Sequence, residues 1–377
     1  MSDLSLYLHI PFCRRKCGYC SFVSYAGHEG DIPAYVGALA AEISLTARSG
    51  ATVKTIYFGG GTPSLLAAAD IDRLIGVIGD CYGIDTGAEI TLEANPGTVD
   101  ASYLKDIRAA GVNRLSLGVQ SLDDGDLAFL GRCHTLAEAR RSIAYARAAG
   151  FDNLSLDFIY GLPGRRLKDW EAMLDNIVKL DADHLSLYGL TLEPDTPLGA
   201  AVTRGECPAP DPDTAASEYE SASAKLTAAG YRQYEVSNWA RPGFESRHNS
   251  VYWQRGEYLG LGVAAHSFIG SQRIANTSSL DDYISALVSG VLPQREIETI
   301  GEAAALSESI ILGLRLAEGV NLDDIGQAFS INLQSRYAAE MVELSALGLV
   351  DMSGDRLRLT PKGRLLGNEV FIRFLPE

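Results

Sequence analysis

Between Leu4 and Leu190 the chain alternates short apolar runs with amphipathic stretches of helical period, and no other feature limits its fold more. The apolar runs fall at residues 4–10, 55–58, 89–93, 114–117, 153–158 and 184–190. The amphipathic stretches fall at 31–48, 70–79, 100–110, 136–149 and 167–180. Six strand-helix units in succession predict a parallel sheet with crossover helices. Local chemistry agrees. Asp31 is placed to cap a helix with Pro33 in its first turn. Ala110-Gly111 and Ala149-Gly150 read as helix ends closed by glycine. The expected fold class is α/β, a partial (β/α)6 barrel of the TIM type.

In parallel α/β barrels the chemistry collects at the C-terminal ends of the strands. Those exits here carry Gly59-Gly60-Gly61-Thr62, Glu93, Gln120, Asp157 and Thr191. A glycine or polar residue at each exit is the pattern of a ligand-lined barrel mouth.

Beyond the sixth strand, Pro208-Ala-Pro-Asp-Pro212 reads as a surface loop. Residues 214–299 have no clear period. From residue 301 the pattern is helical again, over 303–316, 321–329 and 333–347. A hairpin then turns at Ser353-Gly354-Asp355, and a last helix follows Thr360-Pro361. These elements predict a winged-helix-like C-terminal domain. The expected divisions are a barrel over 1–207, a barrel extension over 208–299 and the C-terminal domain over 300–377.

Winged helices commonly bind DNA, but the chain carries a net charge of −16 with a pI near 4.8. Such a surface opposes general phosphate binding, so no nucleic acid is expected. No apolar run is long enough for a membrane span. The start, residues 1–7, lacks the basic and apolar regions of a signal peptide. A cytoplasmic protein is expected.

Three of the six cysteines form Cys13-Arg14-Arg15-Lys16-Cys17-Gly18-Tyr19-Cys20, directly after the first strand. Thiolates this close in one loop can converge on a metal centre, and cysteine thiolates hold iron-sulfur clusters. Three ligands leave one iron of a four-iron cubane open. Arg14, Arg15 and Lys16 should lower the thiol pKa values and offset the cluster charge. A zinc site, with Cys133-His134 supplying further ligands, remains an alternative. A redox pair of Cys17 and Cys20 would leave Cys13 unexplained.

This Cys-x3-Cys-x2-Cys motif after a first barrel strand resembles the radical S-adenosylmethionine (SAM) superfamily. Tyr7-Leu8-His9-Ile10-Pro11-Phe12-Cys13 and Phe58-Gly59-Gly60-Gly61-Thr62-Pro63 resemble its coproporphyrinogen dehydrogenase (HemN)-like family. The resemblance runs over nearly the whole chain, including the C-terminal domain. It implies that Cys13, Cys17 and Cys20 ligate a 4Fe-4S cluster whose open iron takes the amino and carboxylate groups of SAM. It also implies SAM contacts from Tyr7, Tyr19, Gly60, Gly61, Thr62, Glu93, Gln120, Arg132 and Asp157. Glu93, Gln120 and Asp157 are among the strand-exit residues named above.

Two departures separate the chain from the oxidases of that family. They carry a fourth cysteine two residues after the third, where this sequence has Phe22. They also have a longer N-terminal arm. The family's haem-chaperone group instead carries His-Asn-x-x-Tyr-Trp, matched by His248-Asn249-Ser250-Val251-Tyr252-Trp253. An imidazole can ligate haem iron, and Tyr252 and Trp253 offer flat faces to a macrocycle. His9 and His266 are other conceivable ligands, with His9 read as a support of the cysteine loop.

The resemblance therefore implies a haem chaperone, a monomer or weak homodimer. It would bind cluster, SAM and haem and deliver haem to respiratory or other haem proteins, some of them at the membrane. Coproporphyrinogen oxidase activity is not expected. The alternative is an enzyme, a radical SAM oxidoreductase acting on a tetrapyrrole as an oxygen-independent coproporphyrinogen III oxidase.

Overall fold

In the computed structural model, residues 3–48 and 50–376 are described. Residues 1 and 2, part of the signal-peptide argument, lie outside them. Six parallel strands form the centre: β1 (Asp3–Ile10), β2 (Thr52–Gly60), β3 (Ile84–Ala94), β4 (Arg114–Gln120), β5 (Leu154–Tyr160) and β6 (His184–Gly189). Each neighbours the next in chain order. The longer helices between them are α1 (Ile32–Leu45), α2 (Ala68–Tyr82), α3 (Ala101–Ala109), α4 (Leu136–Ala148) and α5 (Leu167–Val178), with a short helix, Asp124–Phe129, ahead of α4.

Their ends are set by short-range chemistry. Asp100 caps α3 by accepting from the Tyr103 backbone N–H (2.8 Å), and Thr135 and Glu138 close a capping box at α4. Gly111 and Gly150 follow α3 and α4 with φ of +109° and +84°. Asp31 stands at the start of α1, but its carboxylate serves the His28 ring (2.9 Å), not the helix backbone.

The stretch without clear period wraps both edges of this sheet. After β6 a helix, Pro212–Ala228, leads to the antiparallel strands β7 (Arg232–Glu235) and β8 (Asn238–Ala240) beside β6. The chain then crosses to the opposite edge, where β9 (Tyr258–Leu261) pairs parallel with β1. Strands β10 (His266–Ile269), β11 (Gln272–Asn276) and β12 (Arg295–Thr299) extend that edge antiparallel. The resulting order, β12-β11-β10-β9-β1-β2-β3-β4-β5-β6-β8-β7, is an open, partial barrel.

Buried Glu42 on α1 fastens this extension. Its carboxylate accepts from the Gly262 N–H (2.7 Å), Asn276 (2.8 Å), the Tyr283 hydroxyl (2.7 Å) and Arg295 (2.9 Å).

Residue alternation along the parallel strands separates two environments. Leu6, Leu8, Ile56, Phe58, Leu92, Leu115, Leu117, Leu156 and Leu185 are buried in the main apolar core. The positions between them are polar: Tyr57, Glu93, Arg114, Ser116, Ser155, Asp157, His184, Ser186 and Tyr188 line one internal cavity. Barrel interiors are ordinarily filled by branched aliphatic side chains. Here small hydroxyls and ionisable groups leave the bore open.

The C-terminal residues have their own core, including Leu306, Ile310, Leu333, Leu344, Leu357 and Phe374. Strands at Val350–Ser353 and Arg356–Leu359 form the expected hairpin, turning at Gly354 with φ +65°. Val320–Asn321 adds a third strand. The expected single helix over 333–347 is two, Leu333–Arg336 and Ala338–Ala346. They break at Tyr337, whose ring packs edge-on against Phe374 at 5.1 Å. The result is the helical, winged-helix-like domain anticipated from sequence. No helix among the described residues is long and apolar enough to cross a membrane.

Candidate functional site

The cavity opens at the C-terminal ends of β1–β6 and has a volume of about 600 Å³. Its mouth is the loop after β1. The loop is pinned at both ends: Phe12–Cys13 pairs with Tyr25–Ala26, and the Tyr25 N–H donates to Pro11 O (2.7 Å). His9, buried on β1, reaches across with Nε2 to Val23 O at 2.9 Å, so it supports the loop beyond Cys20.

Cys13, Cys17 and Cys20 are free thiols, and all three line the cavity. A chain of side chains joins two of them. The Thr62 hydroxyl lies 3.6 Å from Cys13 Sγ and accepts from Asn95 Nδ2 at 2.8 Å. The Asn95 carbonyl accepts from the Arg132 guanidinium, which donates through Nη1 to Cys17 Sγ at 3.4 Å and through Nη2 to Gly118 O at 2.9 Å.

The expected lowering of thiol pKa by the basic run does not hold at Cys20. Burial pushes that thiol up, ahead of the opposing effects of the Phe22 N–H and Lys16. The basic side chains turn elsewhere, Arg14 to Gly97 O, Arg15 to Gly131 O and Lys16 to Phe22 O.

The glycine run is enforced by crowding. A Cβ on Gly60, where φ is +116°, would lie 2.7 Å from the His9 ring. A Cβ on Gly61 would lie 2.7 Å from Phe12 O and 3.0 Å from Cys13 Sγ. The bare backbone of residues 60–61 thus presses against the cysteine loop and faces the cavity.

Two carboxylates stand inside. Glu93 accepts from the Tyr57 hydroxyl at 2.6 Å, and burial raises its pKa to about 7, with the charge of Asp157 adding to the rise. Asp157 accepts from the Ser116 hydroxyl (3.0 Å) and the Ser155 hydroxyl (3.2 Å). Burial raises its pKa against these hydrogen bonds. Asp157 is mid-strand on β5, opposite Ser186, and not at the strand exit the sequence suggested. Gln120 ends β4 with φ +67°, a left-handed conformation that turns the chain at the cavity wall.

Of the nine residues the sequence linked to SAM, eight line the cavity: Tyr19, Gly60, Gly61, Thr62, Glu93, Gln120, Arg132 and Asp157. Tyr7 does not. Its hydroxyl lies 3.0 Å from His9 Nδ1 and its ring stacks 6.1 Å from Tyr57.

His248 is not brought there either. The His-Asn-x-x-Tyr-Trp segment is a helix, Arg247–Trp253, with backbone N–H groups of residues 247 and 248 held by Glu89. His248 is 0% exposed. Its Nδ1 shares a hydrogen with Thr55 (2.7 Å), its Nε2 with Tyr252 (2.8 Å), and burial lowers its pKa to about 3. The Tyr252 ring packs edge-on against both His248 and Tyr258, and the Arg315 guanidinium covers Trp253 at 4.3 Å. The two rings expected to face a macrocycle are thus packed against side chains of the protein itself.

Residues missed from sequence are Asn95, Tyr57, Arg114, His184, Tyr188 and the serines 116, 155 and 186. For all but Asn95 and Tyr57 the signal was present as strict alternation in Arg114-Leu-Ser-Leu, Leu154-Ser-Leu-Asp and His184-Leu-Ser-Leu-Tyr. Parallel strands buried on both faces ordinarily read as continuous apolar runs.

The further zinc ligand that the sequence offered is engaged elsewhere. Among the described residues no three Cys, His, Asp or Glu side chains form a group that could hold a single metal ion. His134, offered for zinc, commits Nε2 to Val119 O at 3.1 Å. A cubane presents separate irons to separate thiolates.

Comparison with known proteins agrees with this geometry. Residues 7–177 match the Radical SAM superfamily, and residues 302–366 match the HemN C-terminal domain. The heme chaperone HemW of Mycobacterium tuberculosis is 41% identical over 97% of this chain and 93% of its own. That of Bacillus subtilis is 37% identical over 99% of both. The chain belongs to the HemW family of radical SAM proteins. Membership in the superfamily implies a 4Fe-4S cluster and SAM. Coproporphyrinogen III oxidase (HemN) from Escherichia coli, a radical SAM enzyme, superposes with a TM-score of 0.85 at 27% identity, covering 99% of this chain and 90% of that one.

Proposed function

We propose that the chain is a haem chaperone. It holds a 4Fe-4S cluster on Cys13, Cys17 and Cys20, binds SAM in the adjoining cavity, and delivers haem to respiratory or other haem proteins. The observation that carries the cofactor part is the convergence of three free thiols and eight SAM-associated positions on one cavity. The haem part rests on the likeness to heme chaperones over nearly the whole chain.

The residues fit both cofactors. The Thr62–Asn95–Arg132 chain fixes the spacing of the Cys13 and Cys17 sulfurs and places a cation beside the cluster's negative charge. The backbone of Gly60 and Gly61 leaves room for the methionine end of SAM, where side chains would block it. Asp157, an acceptor when ionised, suits a ribose hydroxyl. When bound, the cluster supplies an electron to SAM. The open polar bore below is sized and functionalised for small polar ligands, with Arg114 and neutral His184 at depth.

The likeness to HemN favours a second reading, an oxidase acting on coproporphyrinogen III. Phe22 in place of the oxidases' fourth cysteine opposes it. One experiment tests both. Anaerobically reconstituted, reduced protein is incubated with SAM, coproporphyrinogen III and haem, and bound haem, decarboxylated product and 5′-deoxyadenosine are assayed together. Stoichiometric haem without decarboxylation is expected. Robust decarboxylation would replace the chaperone reading with the oxidase. A Cys17→Ser protein with full iron content would refute the cluster ligands.

A further inference from the structure

The best-placed histidine in the sequence is shut inside the fold, and the cavity does not replace it. Among the described residues lining the cavity, His184 is the one imidazole, and both its nitrogens are bound, Nδ1 to Ser155 and Nε2 to Tyr234, each at 2.8 Å. A haem reaching this site therefore finds no free nitrogen ligand in it.

The rim offers something else. Phe22 lines the cavity and is 66% exposed. Its loop is held in place: Lys16 Nζ donates to Phe22 O at 2.9 Å, and His9 donates to the next carbonyl, Val23 O. Val23 is itself a third exposed, extending the apolar step. The ring offers an aromatic face on a pinned loop at the cavity mouth, where a flat apolar ligand can stack.

Cations stand beside it. Arg15 and Lys16 both line the same rim and are exposed. Each gives a donor to a backbone carbonyl, Gly131 O and Phe22 O, and among the described residues neither makes an ion pair. On a chain of net charge −16 this is a local positive edge around an aromatic platform.

We infer that haem docks at this rim, with its macrocycle on Phe22 and its propionates on Arg15 and Lys16, and that no histidine of the cavity ligates its iron. The inference rests on the haem-chaperone reading and deepens it. The ligand chemistry follows from the surface: a flat apolar ring for Phe22 and carboxylates on one edge for the two cations. A ring held by its face and its carboxylates, without a nitrogen on its iron, is also free to leave for a protein that supplies that nitrogen.

The test is titration of reconstituted full-length protein with haem, followed by Soret absorbance, and with iron-free protoporphyrin IX, followed by fluorescence. Iron content and the visible spectrum of each variant establish that the cysteine loop is intact. Phe22→Ala is expected to weaken haem by roughly tenfold, about 1.4 kcal/mol. An Arg15→Glu, Lys16→Glu double variant should weaken it at least as much, and the loss should shrink with iron octaethylporphyrin, which has no carboxylates. Protoporphyrin IX should bind the wild type within about threefold of haem. His248→Ala and His266→Ala should leave haem affinity within about twofold.

Loss of haem binding in either histidine variant, with Phe22→Ala unchanged, would overturn the site and leave the chaperone reading standing. Failure of protoporphyrin IX to bind would overturn the absence of an iron ligand. A wild-type protein with full cluster that takes up no haem would remove the chaperone reading itself, and this site with it.

Discussion

Replacing Gly61 with alanine adds one methyl group at the point where β2 meets the cysteine loop. Its Cβ would stand 2.7 Å from Phe12 O, 3.0 Å from Pro11 C and 3.0 Å from Cys13 Sγ. Favourable carbon contacts begin near 3.5 Å, so all three must retreat by at least several tenths of an ångström. Two are backbone atoms and cannot rotate away. Gly61 cannot retreat easily either, because its N–H donates to Ile10 O at 2.8 Å. The displacement therefore passes to the segment that carries Cys13. Overpacking of this kind costs about 1–3 kcal/mol, which corresponds to a Tm lower by about 2–6 °C for a domain of this order. Displacing Cys13 should also reduce the iron retained after reconstitution. Differential scanning fluorimetry and iron quantification measure the two effects. Gly76→Ala on α2 is the control, since nothing lies within 4 Å of its Cβ, and it should be neutral or stabilising by about 0.5–1 kcal/mol. A Gly61→Ala protein with unchanged Tm and full iron would refute the account of the glycine run.

Three further outcomes are expected. Glu93 has a folded pKa of about 7 against an ordinary 4.5; its own contribution to stability is therefore full below pH 4.5 and is lost as pH rises toward 7, by at most about 1.4 kcal/mol per unit. Glu93→Gln should gain on the wild type over that window and then hold a constant lead, whereas a pH-independent Tm difference would contradict the burial argument. Glu42→Ala takes the buried acceptor from Arg295 and from three further donors, the Gly262 N–H, Asn276 and Tyr283, and should destabilise by about 3–5 kcal/mol in chemical denaturation, with a loss under 1 kcal/mol ruling out the network as the fastening of the extension. Asp157→Ala should weaken SAM binding to reconstituted protein by roughly tenfold or more in calorimetry, as loss of a hydrogen bond to a charged group does, and unaltered affinity would move the ribose contact elsewhere.

The parts legible in sequence were those with strong local signals. The six strand-helix units, the glycine helix ends at Gly111 and Gly150 and the turn at Gly354 are written in neighbouring residues, whereas Asp31, read as a cap, gives its carboxylate to His28 instead. So was the cysteine loop. Residues 214–299 were illegible because most of their strands are three to five residues long and their pairing is remote, as between Tyr258 and Ser5. The polar bore was written plainly as alternation but was passed over, because buried parallel strands are expected to be apolar on both faces. His248 could not have been placed from its surroundings in the chain. Its Nδ1 partner, Thr55, is 193 residues away, and nothing beside the histidine shows that both nitrogens are taken.

The position of β9 has a consequence for how the protein is made. β1 ends in the cysteine loop, yet one of its two neighbours is β9, and about 250 residues of chain separate Ile10 from Leu261. At the ordinary pace of translation, on the order of 5–20 residues per second, that partner emerges roughly 10–50 s after β1. Throughout this interval the strand that leads into the cysteine loop has a bare edge, and the β10–β12 layer beyond it is missing. The nascent chain thus passes through a long stage in which the cysteines already exist while the wall beside them does not. Iron and sulfide delivered in that stage would meet an open trough, and arrival of β9 would close the side of the vessel after it was filled.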